Sequence, residues 1–105
     1  MHDAIAILVT CPDAATAERI AATLVEERLA ACVNVKPGIT SFYRWEGRVQ
    51  KDEELLLIIK TRADRITALE ARVKALHPFD VPEFVALPIV AGSAEYLRWI
   101  DESTA

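Results

Sequence analysis

Cysteine, glycine and long apolar runs are all scarce in this sequence. Its two cysteines, Cys11 and Cys32, are too few for a disulfide framework and do not form a CxxC pair. The longest run of Val, Ile and Leu has five residues, Leu55–Ile59, whereas a membrane-spanning helix needs about 20 apolar residues. These scarcities argue against a disulfide scaffold and a membrane helix, and they favour free thiols in a reducing compartment.

Basic residues are also too few to provide an electrostatic footprint for nucleic acid. The sequence has 12 Lys and Arg against 16 Asp and Glu, and its net charge is −4. Phosphate binding needs clustered cations, so we expect neither nucleic acid nor an anionic membrane as a partner. No basic region followed by an apolar stretch opens the chain, so we expect no secretory signal and a cytoplasmic protein.

Hydrophobic residues, by contrast, are abundant enough for one packed core. They make up 52% of the 105 residues, and a chain of this length fits a single domain over residues 1–105. The apolar run 4–10 predicts a strand buried on both faces. Helical spacing of apolar residues predicts two amphipathic helices, over 14–28 and 66–76.

Polar residues at the expected helix starts predict how these helices are capped. Asp13 is the predicted N-cap of the first helix. Thr61 and Asp64 have the spacing of a capping box before the second helix. Ser93 follows Gly92 and is the predicted cap of a short third helix, after which residues 102–105 should fray.

A long hairpin dominates the middle of the sequence. Two β-like runs between residues 31 and 61 meet at Trp45-Glu46-Gly47-Arg48, where an acidic residue before glycine favours a tight turn. The return arm 48–61 contains neither Pro nor Gly and, at about 3.3 Å per residue, would be about 45 Å long. A domain of this size is only about 35 Å across. The hairpin should therefore extend beyond its own domain. We expect the charged run 51–54 to lie in solvent and a neighbouring copy of the chain to cover the aromatic residues near the tip.

Prolines distinguish the edge strands from the central ones. Pro37 and Pro88 lie in the second strand and in a last strand over 84–90, and proline cannot donate to a β-ladder. We therefore expect those strands at the edges, with a bulge near Pro37. The order β-α-β-β-α-β, followed by a short C-terminal helix, predicts an α+β ferredoxin-like sandwich. Right-handed crossovers would put both long helices on one face, so neighbouring subunits should cover the other.

Cys32 and His77 are the first candidates for metal ligands, and each has an ordinary structural alternative. A thiolate with an imidazole suits copper or zinc. Cys32 lies in an apolar strand, however, where a free cysteine is often simply buried. His77 lies at a helix end, where the helix dipole alone favours histidine. His2 lies near the terminus and is assigned no specific role.

Lys60 ends an aliphatic strand, where a charge needs a partner or a route to solvent. Glu83 and Glu46 are the candidate partners, most simply in an inter-subunit salt bridge. Alternatively, these groups line a cleft between subunits that binds a small anion or metabolite. Acid–base catalysis by Lys60 and Glu83 is a third and weaker alternative. The sequence has no Walker loop, GxGxxG or HExxH motif and no Ser-His-Asp constellation, and we expect no enzyme.

Several segments together resemble the CutA family of divalent-cation tolerance proteins. They are LAACVNVKPGITS (29–41), YRWEG (43–47), ELLLIIKT (54–61), HPFDVPE (77–83) and YLRW (96–99), and the resemblance extends over essentially the whole chain. It implies a ferredoxin-like homotrimer in which long hairpins embrace neighbouring subunits, similar in outline to PII signalling proteins. It also implies a role in tolerance to divalent metals, and some members of the family bind Cu(II).

The resemblance further implies which residues carry that role. Cys32 and His77 match family positions, as do the residues expected to line an inter-subunit cleft, which are Trp45, Glu46, Lys60, Glu83 and Tyr96. Two positions proposed as copper ligands in some bacterial members correspond here to Val9 and Leu76, and Cys11, two residues after Val9, is a candidate replacement.

Two functions follow as expectations. The first is a trimer that binds Cu(II) or another divalent cation through His77, Cys32 and Cys11. The second is a PII-like signalling or scaffold module that binds a small metabolite or a protein partner at its inter-subunit clefts.

Overall fold

A computed structural model describes residues 2–105, which form one four-stranded antiparallel sheet and three α-helices. The elements are β1 (Ala4–Cys11), α1 (Ala14–Glu26), β2 (Cys32–Trp45), β3 (Arg48–Arg62), a 3-10 turn (Ala63–Arg65), α2 (Ile66–Leu76), β4 (Val85–Pro88) and α3 (Ala94–Ser103). The strand order is β2-β3-β1-β4, which confirms the predicted fold and its two proline-containing edge strands. Within residues 2–105 no helix has the length and apolar character needed to cross a membrane.

Pro37 interrupts the ladder between β2 and β3, as predicted. The pairing register shifts between Lys36 and Ile39, because proline has no N–H to donate. Gly38 follows with a φ of 75°, a conformation that glycine adopts without steric cost. Two residues of β2 thus stand opposite one residue of β3, a bulge with one extra residue, and the pairing of β2 with β3 resumes beyond it.

The hairpin extends beyond the rest of the sheet. β1 pairs with β3 from Leu55 to Arg62, so the segment 48–54 of β3 has β2 as its strand partner. Glu46 and Gly47 close the hairpin with φ values of 50° and 76°, as a two-residue turn requires. The molecule measures 44 Å along its longest axis and 25 and 23 Å along the others. The predicted overhang is confirmed.

The main core lies between the sheet and the two helices α1 and α2. It contains fully buried side chains from every one of these layers, including Ile7, Val9, Cys11, Ile20, Leu24, Leu57, Ile59, Leu69 and Val73. The strand β1 is fully buried on this side only, and its Leu8 and Thr10, which point the other way, are half-buried. The expectation that β1 is buried on both faces is therefore wrong for the single chain.

The second face of the sheet is covered at one end only. There α3 packs Ile100 against Ala4 and Ala31. Farther along the same face, Val85 and Leu87 of β4 are 45% and 43% exposed. We call this apolar surface, together with Leu8, the helix-free face. Its exposure agrees with the expectation that both long helices lie on the opposite side.

The predicted capping box at Thr61 and Asp64 is wrong. Thr61 is part of β3, and its buried hydroxyl donates a hydrogen bond to the carbonyl oxygen of Leu29 at 2.6 Å. Asp64 instead forms an ion pair with Arg62 at 3.2 Å. The pairing of β3 with β1 continues to Arg62, and the Thr61 hydroxyl is bonded to Leu29, so it does not reach the amides of the helix that follows.

Three other boundaries also differ from prediction. α1 ends at Glu26, and Arg28 then adopts a left-handed φ of 61°. β4 has only four residues. The C-terminus does not fray, because Thr104 is fully buried and its carbonyl oxygen accepts a hydrogen bond from Arg65 Nε at 2.9 Å.

Two predicted caps are confirmed, since Asp13 accepts from the Thr16 amide at 2.7 Å and Ser93 from the Tyr96 amide at 3.2 Å.

Replacing Thr61 and Asp64, the two residues of the predicted capping box, should change the free energy of unfolding by unequal amounts. Thr61→Val leaves the Leu29 carbonyl without its donor and should lower the free energy of unfolding by about 1 kcal/mol. Asp64→Ala removes only an exposed ion pair and should change it by less than about 0.5 kcal/mol. Denaturant unfolding of both variants at one protein concentration tests this, and equal losses would contradict it.

Candidate functional site

His77 is held at the end of α2 by both of its ring nitrogens. It caps the helix C-terminus and is 7% exposed. The amide of Phe79 donates to Nδ1 at 3.1 Å, so in the neutral ring the hydrogen is on Nε2. Nε2 lies 2.8 Å from the carbonyl oxygen of Thr10 and donates to it. The imidazole thus connects α2 to the end of β1.

Cys11 is a buried thiol on the helix-covered side of the sheet. Burial raises its pKa to about 11, with the negative charges of Asp13 and Glu54 contributing to the rise. At neutral pH the group is therefore protonated, whereas metals bind the thiolate. Cys11 is a poor candidate ligand in this environment.

Cys32 begins the edge strand β2 and lies near α3. It is a free, half-buried thiol and pairs across the ladder with Lys60. Burial and the neighbouring thiol of Cys32 raise the pKa of Tyr96, which places the Tyr96 hydroxyl beside this sulfur. Lys60 donates a hydrogen bond to the side-chain oxygen of Asn34. Within the chain, Asn34 is thus the partner of Lys60, and an ion pair with a neighbour's Glu83 or Glu46 stays a prediction.

The single chain does not gather the three predicted metal ligands. Cys11 pairs with Leu55, and Cys32 pairs with Lys60. Residues five apart on β3 point to opposite faces, so the two thiols lie on opposite faces of the sheet. Within residues 2–105 there is no group of three His, Cys, Asp or Glu side chains arranged to hold a metal ion.

A groove of about 700 Å³ lies between the hairpin and the segment that follows α2. Hairpin residues line one side and residues 78–83 the other, and Thr10 and Glu54 of the sheet complete the lining. Of the five predicted cleft residues, the groove contains Trp45 and Glu83. The structure thus brings a large aromatic ring and a carboxylate to the same surface.

Glu83 and Glu54 give this groove an acidic character. Burial raises the pKa of the Glu83 carboxyl, and the neighbouring Glu54 carboxylate raises it further. Glu54 is only 8% exposed, although sequence analysis placed it in a solvated charge run. That part of the prediction is wrong, whereas Lys51, Asp52 and Glu53 are exposed as expected.

The other three cleft residues lie outside the groove. Glu46 is in the hairpin turn, where its carboxylate accepts a hydrogen bond from the Trp45 indole at 3.1 Å. Tyr96 stacks on Trp99 of α3 with ring centroids 5.4 Å apart, close to Lys60 at the other end of the sheet. The five residues therefore form two groups on one chain, and their meeting between subunits stays a prediction.

Glu54 is a groove residue that sequence analysis did not name as a site residue. The signal for it was the strand period, because Glu54 precedes Leu56 and Ile58 by two and four positions and so shares their face. Phe79 was also missed as a site residue, although it contacts His77 with ring centroids 5.0 Å apart and lines the groove.

Comparison with known proteins gives matches over nearly the full chain. The family model described as CutA1 divalent ion tolerance protein matches residues 5–103. The divalent-cation tolerance protein CutA of Thermus thermophilus is 57% identical over 98 residues, which cover 93% of this chain and 95% of that protein. The solved structure of a divalent cation tolerance protein from Thermus thermophilus superposes with a TM-score of 0.95 at 55% identity and covers 97% of this chain and 99% of that one.

Two further relatives carry names that refer to different compartments. The chloroplastic protein CutA 1 of Oryza sativa is 52% identical over 100 residues, which cover 95% of this chain but 56% of that protein. The structure of the periplasmic divalent cation tolerance protein CutA from Archaeoglobus fulgidus has a TM-score of 0.94 at 42% identity, covering 97% of this chain and 99% of that one. These relatives are not named as enzymes.

The raised pKa of Glu83 has a consequence for stability. The folded state binds the proton more tightly than the unfolded state, so the ionised carboxylate destabilises the fold above its raised pKa, and this cost disappears below about 4.5, the ordinary value. Glu83→Gln should therefore raise stability at pH 7 by roughly 0.2–1 kcal/mol, with no gain at pH 4. Glu53→Gln, at an exposed carboxylate, is the control; a gain at both pH values, or in the control as well, would contradict this reasoning.

Proposed function

The chain belongs to the CutA1 divalent ion tolerance protein family, and we propose that it acts as a homotrimer that binds a divalent cation, in the first place Cu(II). Its relatives are named for tolerance rather than for catalysis. The observation that carries the proposal is the combination of an uncovered sheet face with an overhanging hairpin.

Exposed apolar side chains support the assembly. Phe42 and Val49 on the hairpin are 68% and 66% exposed, and Leu87 on the helix-free face is 43% exposed. By the alternation along β3, Phe42 and Val49 lie on the opposite face of the sheet from Leu87, so the hairpin and the helix-free face are two separate apolar surfaces. Exposed apolar patches of this kind mark interaction surfaces, and a hairpin that reaches beyond its own domain is suited to grip a neighbouring subunit.

His77 is the first ligand that we propose. A metal-binding histidine usually donates its other ring N–H to a carbonyl or carboxylate, which fixes the tautomer and orients the ring. The Nε2 hydrogen bond to Thr10 has this form, which makes Nδ1 the ligating atom. Nδ1 now accepts from the Phe79 amide, so metal binding requires the turn 77–79 to release that bond.

Cys32 is the second proposed ligand, contributed by a neighbouring subunit. It lies at the start of an edge strand, and its side chain is half-buried. Cys11 is the less favoured thiol, because its pKa of about 11 makes deprotonation costly. We also propose a cytoplasmic location, in which both free thiols stay reduced.

The groove favours a second candidate function, a PII-like module that binds a small molecule or a protein partner. Its volume of about 700 Å³ lies within the range of small-molecule sites. Trp45 and Glu83, two residues that match the family pattern, belong to its lining.

The assembly is tested by light scattering, which should give three times the chain mass of 11.6 kDa. Leu87→Lys puts a charge on the helix-free face and should lower the mass. Val25→Lys is the matched control, because Val25 is equally exposed at 43% but belongs to α1. Circular dichroism confirms that each variant is folded. A wild-type mass of one chain, or an equal effect of both variants, would contradict the proposal.

Metal binding is tested by Cu(II) titration of the trimer at pH 7 with electron paramagnetic resonance. His77→Ala should lower the affinity at least about tenfold, the effect of losing one tuned ligand contact, and should remove nitrogen hyperfine coupling from the spectrum. His2→Ala is the control and removes the other histidine of the sequence. Unchanged binding in folded His77→Ala would overturn the assignment of this ligand.

A further inference from the structure

We draw no further inference here: the strongest candidate, the cavity of about 420 Å³ between α3 and the start of β1, is lined by exposed side chains of both charges, among them Asp3 and Arg98, and nothing within residues 2–105 shows what ligand it would hold.

Discussion

The pairing of β3 with two different partners is the constraint on which the rest of the structure depends. Over its inner half β3 lies between β2 and β1, and over its outer half β2 is its strand partner. The inner half supplies Leu57 and Ile59 to the core. The outer half forms the overhanging ribbon. This one strand of 15 residues therefore contributes to the core and also forms the part of the hairpin that extends beyond the rest of the sheet.

Side chains alternate between the two faces of β3, and this alternation places the candidate site residues on different faces of the sheet. Leu55, Leu57 and Ile59 face the helices, and Glu54 faces the other way with Lys60. Because Cys32 and Cys11 follow the same ladder, they lie on opposite faces and cannot bind one metal ion together within a chain. The groove and Cys32 lie at different ends of the hairpin, whereas His77 adjoins the groove through its contact with Phe79.

Prediction from sequence was correct where the conformational preference of a residue agreed with its place in the sheet. Pro37 and Pro88 identified the edge strands, because a missing N–H matters wherever a strand is paired on both sides. It failed where a local motif competed with a tertiary contact. Thr61 has capping spacing, but the ladder with β1 continues past it and its hydroxyl bonds to Leu29. Thr104 was expected to fray, but Arg65 binds its carbonyl, a contact between residues far apart in sequence.

The sequence by itself determined the element order, the strand order, the hairpin turn at Glu46-Gly47 and the family, because these depend on periodicity, on backbone chemistry at proline and glycine, and on motifs spread over the chain. Only the tertiary structure decided the environment of each candidate side chain. It buried Glu54 beside Glu83, satisfied both nitrogens of His77 and paired Lys60 with Asn34. These environments arise from contacts between segments that are distant in sequence, which spacing along the chain cannot specify.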